Sequence, residues 1–315
     1  KPGYYLEFDK NKITTQRYWD INNSINSENK NILNKKDYLN ILESKLINSL
    51  KIRLNSDVPL GLFLSGGIDS TLLFVLMSEM NLRDFSTFTI GFKNNLYDES
   101  LIAEKTSKEF KINNSKIILD KNSVLNLIET IPSIWDEPFA DSSQIPTLAI
   151  SDLAKTKVKV VLSGDGGDEL FLGYNRYNKG FDIYQKFIKQ SQIKKNIISY
   201  LLKYARNISN PNILKIISKI TSQNITGDKI RKISDIFYCN SVFEYYETTK
   251  SVSQKSDFYL NNIISDENIY SIKNVNKDFK DPKKMMQIFD FLSYLPNDIL
   301  TKLDRATMSR SIEAR

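Results

Sequence analysis

Val58-Pro59-Leu60-Gly61-Leu62-Phe63-Leu64 runs directly into Ser65-Gly66-Gly67-Ile68-Asp69-Ser70, and this junction decides the fold. A short apolar run that ends in Ser-Gly-Gly reads as a buried strand closed by a tight turn. Beyond the turn, Ile68, Leu72, Val75 and Leu76 recur at helical spacing, so the unit is strand, loop, helix. The same alternation continues on the C-terminal side. Phe85 to Phe92 is strand-like, Asp98 to Phe110 is helical with Asp98 as a cap, and Lys116 to Leu119 is strand-like. Ser142 to Lys155 is helical, and Val158 to Leu162 is a further buried strand. Strands alternating with helices predict an α/β fold, a doubly wound parallel sheet covered on both faces. Ligands of such sheets sit beyond the carboxyl ends of the strands, which is where both Gly-rich loops of this chain fall.

The loop from Leu64 to Ser70 carries groups suited to an anion. Glycines let the backbone turn sharply and approach a ligand with no Cβ in the way. The amides of Gly66, Gly67 and the first helical turn are then directed at the ligand and assisted by the helix dipole. Ser65 and Ser70 add hydroxyls. Asp69 places a carboxylate beside the anion, which calls for a cation between them, Mg²⁺ being the natural choice. The loop is neither G-x-x-x-x-G-K-[ST] nor G-x-G-x-x-G. The plain alternative is a Gly-Gly turn that only closes a βα unit, and the Asp69-Ser70 continuation after a buried strand weighs against it.

A second loop, Ser163-Gly164-Asp165-Gly166-Gly167-Asp168-Glu169, follows the apolar run Val158 to Leu162. Three carboxylates among glycines at the end of a buried strand need solvent or a counter-charge. A calcium loop would show regular Asp-x-Asp-x-Asp spacing, which is missing.

The first loop resembles that of the N-type ATP pyrophosphatases, the PP-loop enzymes. Both loops together, with Trp135-Asp136-Glu137-Pro138-Phe139-Ala140-Asp141-Ser142-Ser143 between them and Lys302-Leu303-Asp304-Arg305-Ala306-Thr307-Met308 near the end, are similar to the synthetase domain of glutamine-hydrolysing asparagine synthetases. The resemblance covers nearly the whole chain from Asp37. It implies an adenine nucleotide alpha hydrolase-like fold, ATP as the nucleotide and cleavage between its α and β phosphates. Leu64 and Ile90 would then contact the adenosine, with Gly91 nearby, and Ser65, Gly66, Gly67, Asp69, Ser70, Ser163 and Gly164 would line the rest of the ATP site. Asp69 and Asp168 would hold Mg²⁺ on the pyrophosphate. Asp165 would be the catalytic residue, at a position where relatives often carry Glu, one methylene longer. The substrate implied is a small-molecule carboxylate, aspartate first, aminated by ammonia from glutamine.

The resemblance also divides the chain. Residues 1–20 match the end of an N-terminal glutaminase domain, in the stretch Pro2-Gly3-Tyr4-Tyr5-Leu6-Glu7-Phe8-Asp9, and read as a β-hairpin. Residues 21–36 read as a linker, and 37–315 as the synthetase domain, with a largely helical part from Asn178 to about Asp281. Leu300 to Arg315 reads as one more helix that stops mid-pattern, so the domain is expected to continue, with the family's catalytic lysine, past Arg315. The Thr-Thr-x-Arg stretch with which some asparagine synthetases contact aspartate is not found here; relatives that amidate sugars or other carboxylates share that departure.

Composition narrows the chemistry further. With no histidine and a single cysteine among 315 residues, imidazole catalysis, Cys-based zinc and internal disulfides are excluded. Cys239 reads as a small packed residue. The net charge of +7 comes mostly from dispersed lysines, so it reads as solvated surface and no nucleic-acid partner is expected. No apolar run of about 18 residues predicts a membrane span, and the reading is a cytoplasmic enzyme, with a homodimer as a possible assembly. Two rival readings are a tRNA-modifying PP-loop enzyme and a non-catalytic interaction module. The Asp165 to Glu169 loop opposes the first, and the intact Asp69 and Asp168 oppose the second. Tyr174-Asn175-Arg176-Tyr177 and the aromatic residues between Phe181 and Tyr270 read as packing. Lys302, Asp304 and Arg305 read equally as site residues or as helix braces.

Overall fold

The computed structural model describes residues 2–21, 23, 34–82, 84–93, 98–191, 193–197, 200, 235–250 and 281–315. Most of the 21–36 linker and much of the expected helical part between 178 and 281 lie outside the described residues. The chain divides into two compact units, Lys1–Gly167 with Ser293–Arg315, and Asp168–Leu292.

The first unit opens with an antiparallel hairpin, β1 (Tyr4–Asp9) and β2 (Lys12–Arg17), paired from Tyr4 with Arg17 to Asp9 with Lys12. Lys10 and Asn11 take positive φ at the turn, the twist that a two-residue hairpin loop requires. Helix α1 (Lys35–Arg53) follows, capped by the Asn34 side chain, which accepts from the Asp37 amide.

A five-stranded parallel sheet then forms from β3 (Leu60–Phe63), β4 (Ser86–Phe92), β5 (Asn114–Leu119), β6 (Val160–Leu162) and β7 (Glu313–Ala314), in the order β5-β4-β3-β6-β7. Helices α2 (Ile68–Glu79) and α3 (Ser100–Glu109) make the crossovers to β4 and β5. Helices α4 (Lys121–Ile134) and α5 (Gln144–Ala154) return the chain to β6 on the other side of β3. The order therefore reverses between β3 and β6, and that crevice is the topological switch point where open α/β sheets bind ligands.

Side-chain alternation explains the double cover. Leu62, Leu64 and Leu162 point into a core with Leu50, Phe74, Leu76, Met77 and Ala103 from α1, α2 and α3. Phe63, Phe88 and Val161 point into another core with Ile150, Ala154 and Leu303. Strands buried on both faces read as near-continuous apolar runs, as β3 and β6 do. The doubly wound parallel sheet is therefore present as expected.

Two elements differ from the sequence pattern. Helix α4 is not among the elements that the alternation predicts. It has no fully buried residue, but Val124, Leu127, Ile131 and Ile134 recur at helical spacing, and the last three pack half-buried against the cluster of Trp135 and Leu148. At the other end, the helix expected over Leu300 to Arg315 stops early. Helix α10 (Leu300–Met308) ends in a turn with Ser311 at φ +55°, and β7 joins the sheet edge beside β6. The Glu313 amide donates to Lys159 O and the Arg315 amide to Val161 O, so sheet pairing overrides local helix propensity here.

The second unit begins within a short helix, α6 (Gly167–Phe171), and contains α7 (Lys179–Ile188), α8 (Val242–Lys250) and α9 (Pro282–Phe289). A π-helical segment, Asp290–Ile299, then leads back into the first unit. Tyr177, Phe181, Tyr184, Tyr245 and Tyr246 are buried, as the packing reading expects of them, and so is Cys239. Arg176 is ion-paired to the fully buried Asp290 at 2.7 Å, and the Tyr246 hydroxyl donates to the other carboxylate oxygen at 2.7 Å.

Candidate active site

Both Gly-rich loops leave the carboxyl ends of the central strands β3 and β6. In the first loop, Leu64 is fully buried, so its side chain belongs to the core, while its amide donates to Phe88 O. Ser65 and Ser70 hydroxyls lie 2.9 Å apart, and Ser70 Oγ also accepts from the Ser65 amide. Ser65 Oγ accepts from the Gly67 amide at 3.1 Å. Gly66 sits at φ +91°, and a Cβ there would lie 2.5 Å from Glu99 O, so the turn admits only glycine. Gly67 is the N-cap of α2 and has no side chain to occupy the first-turn amides, which leaves that helix end suited to an anion. Asp69 lies in the first turn, where a carboxylate is favourable beside the helix dipole.

The second loop is packed onto the first through its glycines. A Cβ on Gly164 would lie 3.0 Å from the Ser70 nitrogen, and one on Gly167 would lie 2.5 Å from Asp69 Cγ. The Gly167 amide donates to Gly164 O at 3.2 Å, and the Ser163 amide donates to Arg315 O at 3.1 Å. Ser163 Oγ donates to Asp165 Oδ2, and the Asp165 amide donates back to Ser163 Oγ at 3.3 Å. Ile90 and Gly91 lie just before Phe92 at the carboxyl end of β4, the strand next to β3, and so share the same sheet edge. Thr89 fixes that strand end by donating from Oγ1 to Leu64 O at 2.9 Å. The structure thus gathers Ser65, Gly66, Gly67, Asp69, Ser70, Ser163, Gly164 and Asp165 around the β3–β6 crevice. Asp168, next in sequence to Gly167, belongs to the second unit.

Sequence reasoning gave no role to Asp141 and Ser143 and left Lys302 undecided. Lys302, on α10, is only 6% exposed. Its Nζ donates to Ser143 Oγ at 2.9 Å and pairs with Asp141 Oδ2 at 3.2 Å, with Asp165 Oδ1 at 4.0 Å. Burial pushes the Asp141 carboxyl up, but the Ser143 amide, the Lys302 charge and the Ser143 hydroxyl outweigh it and hold the group below its ordinary range. The available signal was the shared motif that ends at Ser143, read as a segment and not residue by residue. Arg305 instead pairs with Asp136 at 2.8 Å on the surface, and Asp304 is exposed.

The oxygen donors of the loops suit a hard cation. Among the described residues, no three His, Cys, Asp or Glu side chains form a cluster able to hold a metal. A Mg²⁺ bound here would take much of its shell from phosphate and water, as Mg²⁺ at nucleotide sites commonly does.

Comparison with known proteins identifies the family. Residues 42–315 match the family model described as asparagine synthase. Over 96% of its length the chain is 32% identical to a putative glutamine-hydrolysing asparagine synthetase 2 of Methanocaldococcus jannaschii, covering 54% of that protein. It is 28% identical over 86% of its length to the glutamine-hydrolysing asparagine synthetase 1 of Bacillus subtilis, covering 40%. The chain therefore spans about half or less of the length of these relatives. Among solved structures, an NMN synthetase from Francisella tularensis aligns over 45% of this chain and 59% of its own, at 20% identity and a TM-score of 0.33. No helix among the described residues is long and apolar enough to cross a membrane. Since the family match runs through both loops, the intervening motif and the C-terminal strand, this chain belongs to the asparagine synthase family.

Proposed function

We propose that this chain is the ATP-dependent, amide-forming synthetase domain of its family, a ligase that releases AMP and pyrophosphate. The observation that carries the reading is the packing of the two loops at the switch point, with Gly164 and Gly167 seated on Ser70 and Asp69. That contact ties an anion-binding helix start to a loop bearing a solvent-accessible carboxylate, Asp165. An α-phosphorus displacement needs positioning and charge neutralisation more than covalent chemistry from the protein.

In the first step an oxygen of the substrate carboxylate attacks the α-phosphorus of ATP. The bond from that phosphorus to the bridging oxygen breaks, and pyrophosphate leaves. The amides of Gly66, Gly67 and the first turn of α2 hold the polyphosphate, with the Ser65 and Ser70 hydroxyls beside them. Ile90, Gly91, Ser163 and Gly164 form the nucleotide side of the site, and Leu64, whose side chain lies in the core, supports it from behind. Asp69 and Asp168 are the proposed carboxylates for Mg²⁺, which supplies positive charge against the polyphosphate when bound. In the second step ammonia attacks the acyl carbon, Asp165 takes a proton from the nitrogen, and the carbon–oxygen bond to AMP breaks. The products are the amide, AMP and pyrophosphate.

Aspartate is the proposed carboxylate and asparagine the product. Glutamine is the proposed ammonia source, through a glutaminase domain of which residues 1–20 would be the last part and 37–315 the partner domain. A cytoplasmic location fits these substrates. The test is to incubate the full-length protein with Mg-ATP, ammonia and a panel of carboxylates led by aspartate, and to quantify AMP, pyrophosphate and amide. Equimolar AMP, pyrophosphate and amide are expected, and release of ADP and phosphate would refute the reading. Asp165→Ala should abolish the amide, and undiminished synthesis by that variant would remove Asp165 from its role.

A further inference from the structure

Lys302 shows what fixes Asp165. A lysine with this little exposure is retained only where its charge is matched, because desolvating an unpaired ammonium is costly. Here the match is unequal and ordered. Asp141 is fully engaged: its Oδ1 accepts from the Ser143 amide at 2.8 Å and the Ser143 hydroxyl at 2.7 Å, and its Oδ2 faces Lys302 at 3.2 Å. Since the Ser143 hydroxyl gives its proton to Asp141, its lone pair accepts from Lys302 at 2.9 Å. Two of the three ammonium donors are thereby committed, and the remaining oxygen in range is Asp165 Oδ1 at 4.0 Å. The other oxygen of Asp165 is held by the Ser163 hydroxyl. Both oxygens of the exposed carboxylate thus have a fixed neighbour, one from its own loop and one from α10.

We infer that Lys302 is a positioning residue of the amide-forming step: anchored by Asp141 and Ser143, it orients Asp165 Oδ1 while Ser163 holds Oδ2. The inference rests on the function proposed above for Asp165. Helix bracing alone does not account for the cluster, because a methionine of similar length would pack α10 against α5 without burying charge. The arrangement also gives a purpose to Asp141 and Ser143, which are linked to the second loop through Lys302.

The experiment compares Lys302→Met, Lys302→Arg and Asp141→Asn with the natural full-length protein in two assays. ATP–pyrophosphate exchange with aspartate reports adenylation, and ammonia-dependent amide formation reports the second step. Lys302→Met should lower kcat for amide formation by about 10²-fold, the usual cost of misplacing a reacting group by about 1 Å, while exchange and ATP affinity by calorimetry stay within a few-fold. Lys302→Arg should recover most of the loss, and Asp141→Asn should reproduce part of it. Unchanged amide formation in Lys302→Met, or equal loss of exchange, ATP binding and amide, would overturn the positioning role. Absence of exchange in the natural full-length protein would instead refute the proposed function. A melting cycle decides the contact independently. Asp165→Asn should lower the melting temperature in the natural chain and raise or not change it in Lys302→Met, where two carboxylates lack their cation. Additive shifts would show that Lys302 does not hold Asp165.

Discussion

Replacing Gly167 by alanine tests the coupling between the loops. The new Cβ would lie 2.5 Å from Asp69 Cγ and 2.7 and 2.9 Å from its two carboxylate oxygens. Carbon atoms rest at about 3.5 Å, so roughly 1 Å of separation must be found. The Gly167 amide is held by Gly164 O, and Asp69 sits in the first turn of a helix packed on the sheet, so the side chain of Asp69 is the part most able to yield. Overpacking of this size costs about 1–3 kcal/mol of stability, which a domain of this kind survives. Displacing the carboxylate proposed for Mg²⁺ by the same distance should cost far more in rate, about 10²-fold in kcat/KM for ATP. The apparent Mg²⁺ requirement should rise with it. The assay is pyrophosphate release over a Mg²⁺ titration, with a thermal melt alongside. Gly164→Ala is the graded control, since its Cβ would meet nothing nearer than the Ser70 nitrogen at 3.0 Å, and it should lose only a few-fold. A Gly167→Ala variant with natural kcat/KM and an unshifted Mg²⁺ midpoint would refute the placement of Asp69 in the phosphate site.

Two further outcomes follow from packing and charge. Phe74, fully buried and edge-on to Phe85 at 5.9 Å and Phe110 at 5.3 Å, should cost about 3–5 kcal/mol when cut to alanine, read by denaturant unfolding. Burial pushes Asp290 up to about 7 against the pull of Arg176, and Glu169 adds to the rise. An acid with a raised folded pKa binds more protons folded than unfolded, so its contribution is present below about 4 and is lost as pH rises through about 7. At 1.36 kcal/mol per unit that is up to about 4 kcal/mol, and Asp290→Asn should remove this slope from the stability profile. Parallel profiles for the two proteins between pH 4 and 7 would refute it.

The parallel sheet was legible because its strands are buried on both faces and end in glycines. Val58 to Leu64 and Val158 to Leu162 carry that signal without help from the rest of the fold. The loops were legible for a related reason: a carboxylate or hydroxyl beside two glycines has few purposes at a strand end. What local pattern could not show is pairing over long separations. Leu300 to Arg315 keeps helical spacing throughout, yet Glu313 and Ala314 are drawn into the sheet by β6, about 150 residues earlier. Lys302 carried no local mark either, because its partners Asp141 and Asp165 lie far from it in sequence. Helix α4 is different: Val124, Leu127, Ile131 and Ile134 stand at helical spacing, so its stripe is legible in the sequence and the strand–helix alternation simply passed over it.

The same long-range pairing bears on how the site is built. The chain leaves the first unit at Gly167, in the middle of the second loop, and returns to it at Ser293. A loop interrupted in this way has little local structure of its own to fix Asp165. Its geometry is supplied by the returning segment. Arg315 O accepts from the Ser163 amide, and Lys302 faces Asp165 Oδ1. The Arg315 guanidinium in turn donates to Arg53 O and Asn55 O, both at 2.8 Å, which ties the strand end to the turn after α1. Groups contributed by residues 53–55, 141–143, 163–167 and 302–315 must therefore all be in place before Asp165 is oriented. Contacts of such separation form late because loop closure must precede them. The first loop differs: Ser65, Gly67 and Ser70 satisfy one another within six residues. The proposed nucleotide site thus rests on a local turn, whereas orientation of Asp165 rests on completion of the sheet. Damage to the β6–β7 edge should accordingly reach amide formation before it reaches ATP binding.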